Sequence, residues 1–201
     1  LAGKDKAEKK YSIRSGIILC IMRHMDKRYG YDIVELAKAY KNKGVVGIDL
    51  AGDEANYSID IFKDVFDKAR KNNINITIHA GEARGWESVD KAIKYGAKRI
   101  GHGIRAFENK KLVEIIAKER ILLEICPTSN IQTKVLKDMS KYPIKYFLEK
   151  GVELSLNTDN KMVSNTNLEN EALVLNKKYD ITKEEINKMV ENNIKYSFGG
   201  K

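Results

Sequence analysis

Proline, cysteine and long apolar runs are all scarce in this chain of 201 residues. With 2 prolines and no serine- or glycine-rich stretch, nothing reads as a linker or a disordered tail. The 2 cysteines, Cys20 and Cys126, each lie within an apolar, strand-like run. They fit buried free thiols better than a disulfide and, with no signal peptide in view, point to the cytoplasm. No apolar run approaches the roughly 20 residues needed to cross a bilayer, so no membrane is expected. What is plentiful is charge: 32% of residues are charged and the net is +9. The lysines alternate with glutamates along helical stretches, which reads as solvated helix faces rather than a nucleic-acid surface. A hydrophobic content of 42% supports one globular domain over residues 1–201. The chain opens on Leu1, and residues 5–11 look like the end of a helix with no capping signal before it. That suggests a piece of a longer chain.

Residues 76–82, Ile-Thr-Ile-His-Ala-Gly-Glu, organise the rest. An apolar, β-branched run over 74–78 suits a buried parallel strand and ends on His79, with Glu82 three residues on. A histidine and an acid are poor core material and good material for the carboxyl edge of a sheet. Further strands are expected at 16–22, 45–50, 99–103, 121–126 and 152–156. Helices are expected over 31–41, 59–72, 86–95, after Asn109, between Pro143 and Gly151, and over 182–196. Asn109 reads as a helix cap, and Thr182 with Glu185 as a capping box.

Six strand–helix units in strict alternation imply a parallel sheet with right-handed crossovers. An open doubly wound sheet and a closed eight-unit barrel compete. No glycine-rich dinucleotide fingerprint follows the first strand, which weakens the open sheet. Polar residues collect at the strand ends: Arg23-His24, Gly52-Asp53-Glu54, His79 with Glu82, His102, Asn130 and Asp159-Asn160. Several strand ends converging on one face is the habit of the (β/α)₈ barrel, which takes about 250 residues. Six units and a severed helix suggest that this α/β chain carries strands 3–8 of such a barrel. Histidines and carboxylates in one mouth form a zinc-type donor set, which points to metal-assisted hydrolysis.

Five motifs stand one per strand end: Leu-Ala-Gly-Asp-Glu at 50–54, His-Ala-Gly-Glu at 79–82, Arg-Ile-Gly-His-Gly at 99–103, Cys-Pro-Thr-Ser-Asn at 126–130 and Ser-Leu-Asn-Thr-Asp at 155–159. In this order and spacing they resemble the adenosine deaminase family, zinc aminohydrolases with a metal-dependent-hydrolase barrel, in its bacterial form. The resemblance runs from about Tyr11 to Phe198. It implies that His79 and Asp159 ligate Zn²⁺, that Glu82 protonates N1 of the purine, and that His102 orients the attacking hydroxide. It implies a backbone contact from Gly52 to purine N3, and adenosine as a small-molecule substrate of purine salvage. Asp49, Asp53 and Glu54 are expected behind the site or fixing its loops. His24 is expected to make a structural hydrogen bond, Arg23 to pair with an acid, and Trp86 to pack.

Two departures stand out. The family draws two more zinc ligands from a His-x-His pair, whereas the 3 histidines here, His24, His79 and His102, form none. Asn160 stands where many members carry a second aspartate facing purine N7. An asparagine amide donates without needing a proton, so Asn160 remains competent for that contact. The alternatives are a related adenine or AMP deaminase, and an inactive truncated fragment, which the missing pair and the Gly-Gly-Lys ending at Lys201 favour. The Pro-Cys-x-x-Cys signature of the cytidine-deaminase type is absent.

Overall fold

Apolar runs that alternate with amphipathic stretches fold here into one strand and one or more helices at a time. The computed structural model describes residues 1–199. The last positions of the expected 1–201 domain and of its Gly-Gly-Lys ending lie outside them. Helix α1 (Ala2–Tyr11) has no side-chain cap at Leu1, in keeping with its sequence. Strand β1 (Ile17–Met22) leads to α2 (Lys27–Tyr40), which is capped by Asp26, and β2 (Val45–Ala51) to α3 (Lys63–Lys71). Strand β3 (Thr77–Ala80) is followed by α4 (Trp86–Lys94), and β4 (Arg99–His102) by α5 (Lys110–Lys118). Asn109 caps α5 by accepting from Leu112 N. Strand β5 (Leu122–Ile125) runs directly into α6 (Pro127–Gln132), with α7 (Ile144–Glu149) before β6 (Leu154–Leu156). The chain closes with α8 (Lys161–Ser164), α9 (Leu168–Tyr179) and α10 (Lys183–Lys195). Helix α10 carries the expected capping box of Thr182 and Glu185.

All strand pairs are parallel, in chain order: β1 with β2, and β3-β4-β5-β6. One isolated bridge, Ile48 to Ile76, joins the two sheets. The spatial order never reverses, so there is no switch point of a doubly wound sheet. The six strands instead form the arc of a barrel wall, two short of a closed eight-stranded one. Burial follows from that. Ile48, Leu50, Ile76, Ile78, Ile100, Leu123, Ile125, Leu154 and Leu156 are all buried, as strands covered on both faces must be. Against them α3, α4 and α5 each turn a short apolar face: Val65, Phe66 and Ala69 from α3, Val89 and Ala92 from α4, and Leu112, Val113 and Ile116 from α5.

Two expectations, on His79 and Cys20, are corrected, and two further stretches prove helical. His79 does not follow its strand but is its third residue, because residues 74–76 lean on β2 and regular pairing with β4 begins at Thr77. Residues 127–132, beyond the strand expected at 121–126, form a helix with Pro127 in its first turn. The stretch 161–179, not assigned from sequence, holds α8 and α9. Cys126 is buried as expected, but Cys20 is exposed on β1, whose outer side pairs with no strand among the described residues. No helix among the described residues is long and apolar enough to cross a membrane.

Candidate active site

The carboxyl ends of β3, β4 and β6 bring His79, His102 and Asp159 to one cavity of about 740 Å³, also lined by Glu124, Cys126 and Asn157. Their backbones are specialised. His102 (φ 63°) and Asp159 (φ 54°) adopt the left-handed conformation, as do several residues that merely end helices, but these two sit at strand tips. Such strain is retained where surrounding structure enforces it, commonly at functional sites.

His79 stacks edge-on against His102, with ring centroids 5.3 Å apart. Its Nδ1 lies 3.0 Å from Asp49 Oδ2 at the end of β2, so Nε2 is left for another partner. Burial works against a charge on His79, but the charge and hydrogen bond of Asp49, helped by Glu124 and Asp159, win and raise its pKa to about 9. His102 is buried, and burial holds its pKa below the usual value against the pull of Glu82. Its Nε2 lies 3.4 Å from Glu82 Oε2 and its Nδ1 3.0 Å from Asn130 Nδ2. Asp159 Oδ2 accepts from the Ser129 hydroxyl at 2.8 Å.

Glu82 rides on a turn that the chain clamps firmly. The buried Glu54 carboxylate accepts from the backbone N–H groups of Gly81, Glu82, Ala83 and Arg84 at 2.7–3.0 Å, and from the Ser88 hydroxyl. Gly81 takes φ 71°, and a Cβ there would sit 2.5 Å from Val89 Cγ2, so the turn requires glycine. Thr133 Oγ1 donates to Glu82 Oε1 at 3.1 Å. Glu54 is thus the loop-fixing residue expected from sequence. Arg23 does not pair with an acid as expected. Its buried guanidinium donates to two backbone carbonyls, Tyr57 O at 3.0 Å and His79 O at 2.7 Å.

The remaining expected residues lie farther out. Gly52 (φ 97°) and Glu82 line a second cavity of about 300 Å³ beside Glu54 and Thr133. Asn160 lines neither cavity; it caps α8, its Oδ1 accepting from Val163 N at 3.1 Å. Trp86 packs against the core. Ser129 and Thr133, which hold Asp159 and Glu82, were not singled out from sequence. Reading 127–132 as a helix would have placed both on one face, four residues apart.

A metal demands more than this donor set offers. With Nδ1 engaged by Asp49, His79 presents Nε2, and Asp159 presents its free carboxylate oxygen. A catalytic zinc takes three protein ligands. Among the described residues no group of three or more His, Cys, Asp or Glu could hold an ion. His79 and Asp159 do not close a zinc site by themselves.

Comparison with known proteins follows the same lines. A sequence profile described as adenosine deaminase matches residues 1–200. An adenosine deaminase of Clostridium acetobutylicum is 42% identical over 199 residues, covering 98% of this chain and 59% of that protein. The chain therefore spans less than two thirds of the relative's length. Among solved structures, an adenine deaminase from Arthrobacter aurescens superposes with a TM-score of 0.89 at 21% identity, over 98% of this chain and 60% of that one. An N6-methyl-AMP deaminase from Arabidopsis thaliana gives 0.81 at 28% identity, over 91% and 54%. Motifs, barrel arc and family profile agree: the chain belongs to the adenosine deaminase family, whose barrel it shares in part.

Proposed function

We propose that this chain carries the proton-moving part of a site that hydrolyses adenosine to inosine and ammonia, in the cytoplasm and as one domain over residues 1–201. The observation that carries the reading is the meeting of His79, His102 and Asp159, from three separate strands, in one cavity with Glu82 in reach of His102. In this reading the Glu82 carboxylate takes a proton from the attacking water and gives it to N1 of the purine as the oxygen adds to C6; the amino group of the adduct then receives the proton of the added hydroxyl and leaves as ammonia. His102 orients the attacking oxygen. Gly52 offers its backbone to N3. Asn160, with its Oδ1 occupied by the helix cap, keeps its amide hydrogens as donors towards N7.

His79 and Asp159 are two ligands of a Zn²⁺ site whose remaining donors this pair does not supply. The same count favours a second statement: the 201 residues on their own turn over little. The test is a chimera in which the part of the Clostridium acetobutylicum relative not matched by this chain is joined to it. Ammonia release is measured with adenosine, adenine and AMP. Turnover of adenosine ahead of the other two, lost on Glu82→Gln, is expected. A folded, zinc-loaded chimera that releases ammonia from none of the three would overturn the reading, and preference for adenine or AMP would reassign the substrate.

A further inference from the structure

Behind His102 lies a buried polar chain that the proposed reaction does not by itself require. Tyr142 Oη sits 2.6 Å from Asn130 Oδ1, and Asn130 Nδ2 sits 3.0 Å from His102 Nδ1. All three residues are buried; Asn130 has no exposed surface at all. The chemistry of these groups fixes a direction. A phenol hydroxyl has one proton to give, and the amide oxygen is its acceptor. Turning the amide over would take that acceptor away and set an NH₂ group against the phenol. A buried donor without an acceptor costs about 1–3 kcal/mol. The amide therefore presents its NH₂ to the imidazole, and an NH₂ group donates only. His102 Nδ1 must offer a lone pair. A neutral imidazole carries one proton, so it resides on Nε2, which faces the Glu82 carboxylate, an acceptor, at 3.4 Å.

We propose that Asn130, held by Tyr142, is a positioning residue that locks His102 as the Nε2–H tautomer. The inference deepens the function proposed above and rests on its placing His102 beside the reacting atoms. His102 then meets an attacking oxygen as a hydrogen-bond donor and does not take its proton. The proton falls to Glu82, whose other oxygen is steadied by Thr133. Asn130 thereby divides the labour between the two side chains.

The chain is well suited to a direct test because it has only 3 histidines. Long-range ¹⁵N–¹H correlation on histidine-labelled, metal-free protein reports which ring nitrogen carries the proton, and His102→Gln assigns the signals. The native His102 ring should show a protonated Nε2 and a bare Nδ1. In Asn130→Asp the neighbour becomes a pure acceptor, and the proton should move to Nδ1. In Tyr142→Phe the amide is free to turn, and a second, Nδ1–H population should appear. A native ring protonated at Nδ1, or at both nitrogens, would overturn the proposal. So would an Asn130→Asp or Tyr142→Phe spectrum identical to the native one. Should Asn130→Asp fail to fold, the native ring and Tyr142→Phe decide. The readout needs neither zinc nor turnover. A wrong tautomer thus removes this inference and leaves the deaminase reading standing, while failure of the chimera does the reverse.

Discussion

Replacing Glu54 should damage this fold more than any exposed charge could. Its carboxylate gathers the N–H groups of Gly81, Glu82, Ala83 and Arg84 and the Ser88 hydroxyl, with 4% of the residue exposed. A hydrogen bond to a charged group contributes about 1.5–3 kcal/mol, but a simple sum would overshoot because freed turn amides regain water. The measured range for breaking one side of a buried charged pair, about 3–5 kcal/mol, is the better guide. Glu54→Ala should therefore lose about 4 kcal/mol. At about 2–4 °C per kcal/mol for a chain of this size, Tm should fall by about 8–16 °C.

Glu54→Gln is the informative companion. Its oxygen can replace Oε2, which serves Glu82, Ala83 and Arg84, while its NH₂ meets the Gly81 N–H that Oε1 accepted. The Ser88 hydroxyl can turn from donor to acceptor. One bond and the charge are lost, and about 2 kcal/mol is expected. Thermal unfolding of the metal-free chain, followed by circular dichroism and calorimetry, reads both variants. A loss below about 1 kcal/mol for Glu54→Ala, the ceiling for a surface ion pair, would refute the clamp. So would a Gln variant weaker than the Ala variant.

Three further expectations concern the metal, pH and the helix cap. Calorimetric titration of the isolated chain with Zn²⁺ should show weak binding, because His79 and Asp159 are two donors where three are needed; tight one-to-one binding would contradict this. His79 has a folded pKa of about 9 against an ordinary 6.5, so its contribution to stability is complete below pH 6.5 and disappears as pH rises through 9. Denaturant midpoints across that window should fall in the native chain and flatten in Asp49→Asn. Asn160→Ala should lose about 1 kcal/mol with its cap on α8, and Asn160→Asp close to none, as unfolding curves would show. In the active chimera the Asp variant should bind purine with a steeper pH dependence, since an aspartate must be protonated to donate.

The barrel arc was legible because the strands are short apolar runs and the helices between β2 and β5 keep an apolar face, so the alternation survives in one dimension. The strand tips were legible for a different reason: His79 and His102 stand at the ends of apolar runs where a core would not tolerate them, and Asp159 lies in the polar stretch that follows one. What stayed hidden was hidden physically. Helix α9 keeps only Glu171 and Leu175 buried, so its apolar face is too thin to stand out from a charged background. Glu171 is itself in the interior, bonded to Thr128 N and the Thr166 hydroxyl, and nothing in its neighbourhood along the chain marks it. Helix α6 was masked by Ser, Thr and Asn, which favour turns and caps as readily as helices. Cys20 reads as core by composition, yet lies on a strand whose outer side meets no neighbour among the described residues. Edge or interior is decided by topology, which local pattern does not carry.

The lone Ile48–Ile76 bridge sorts the chemistry between two arms of the arc. His79 and His102 belong to the paired strands of the four-stranded arm, and Asp159, three residues beyond β6, is held there by the Ser129 hydroxyl. The grip on Glu82 comes from the other arm, through Glu54 reaching over, and Arg23 clasps the His79 carbonyl from the same side. The backbone ladder thus places the two histidines, while side chains hold the rest: Ser129 the aspartate, Glu54 the turn of the acid, and Asp49 of the other arm the His79 ring. A breathing motion that parted the arms would release the proton carrier's turn and the His79 ring together, and hydrogen exchange would detect it as early opening at the amides of residues 81–84.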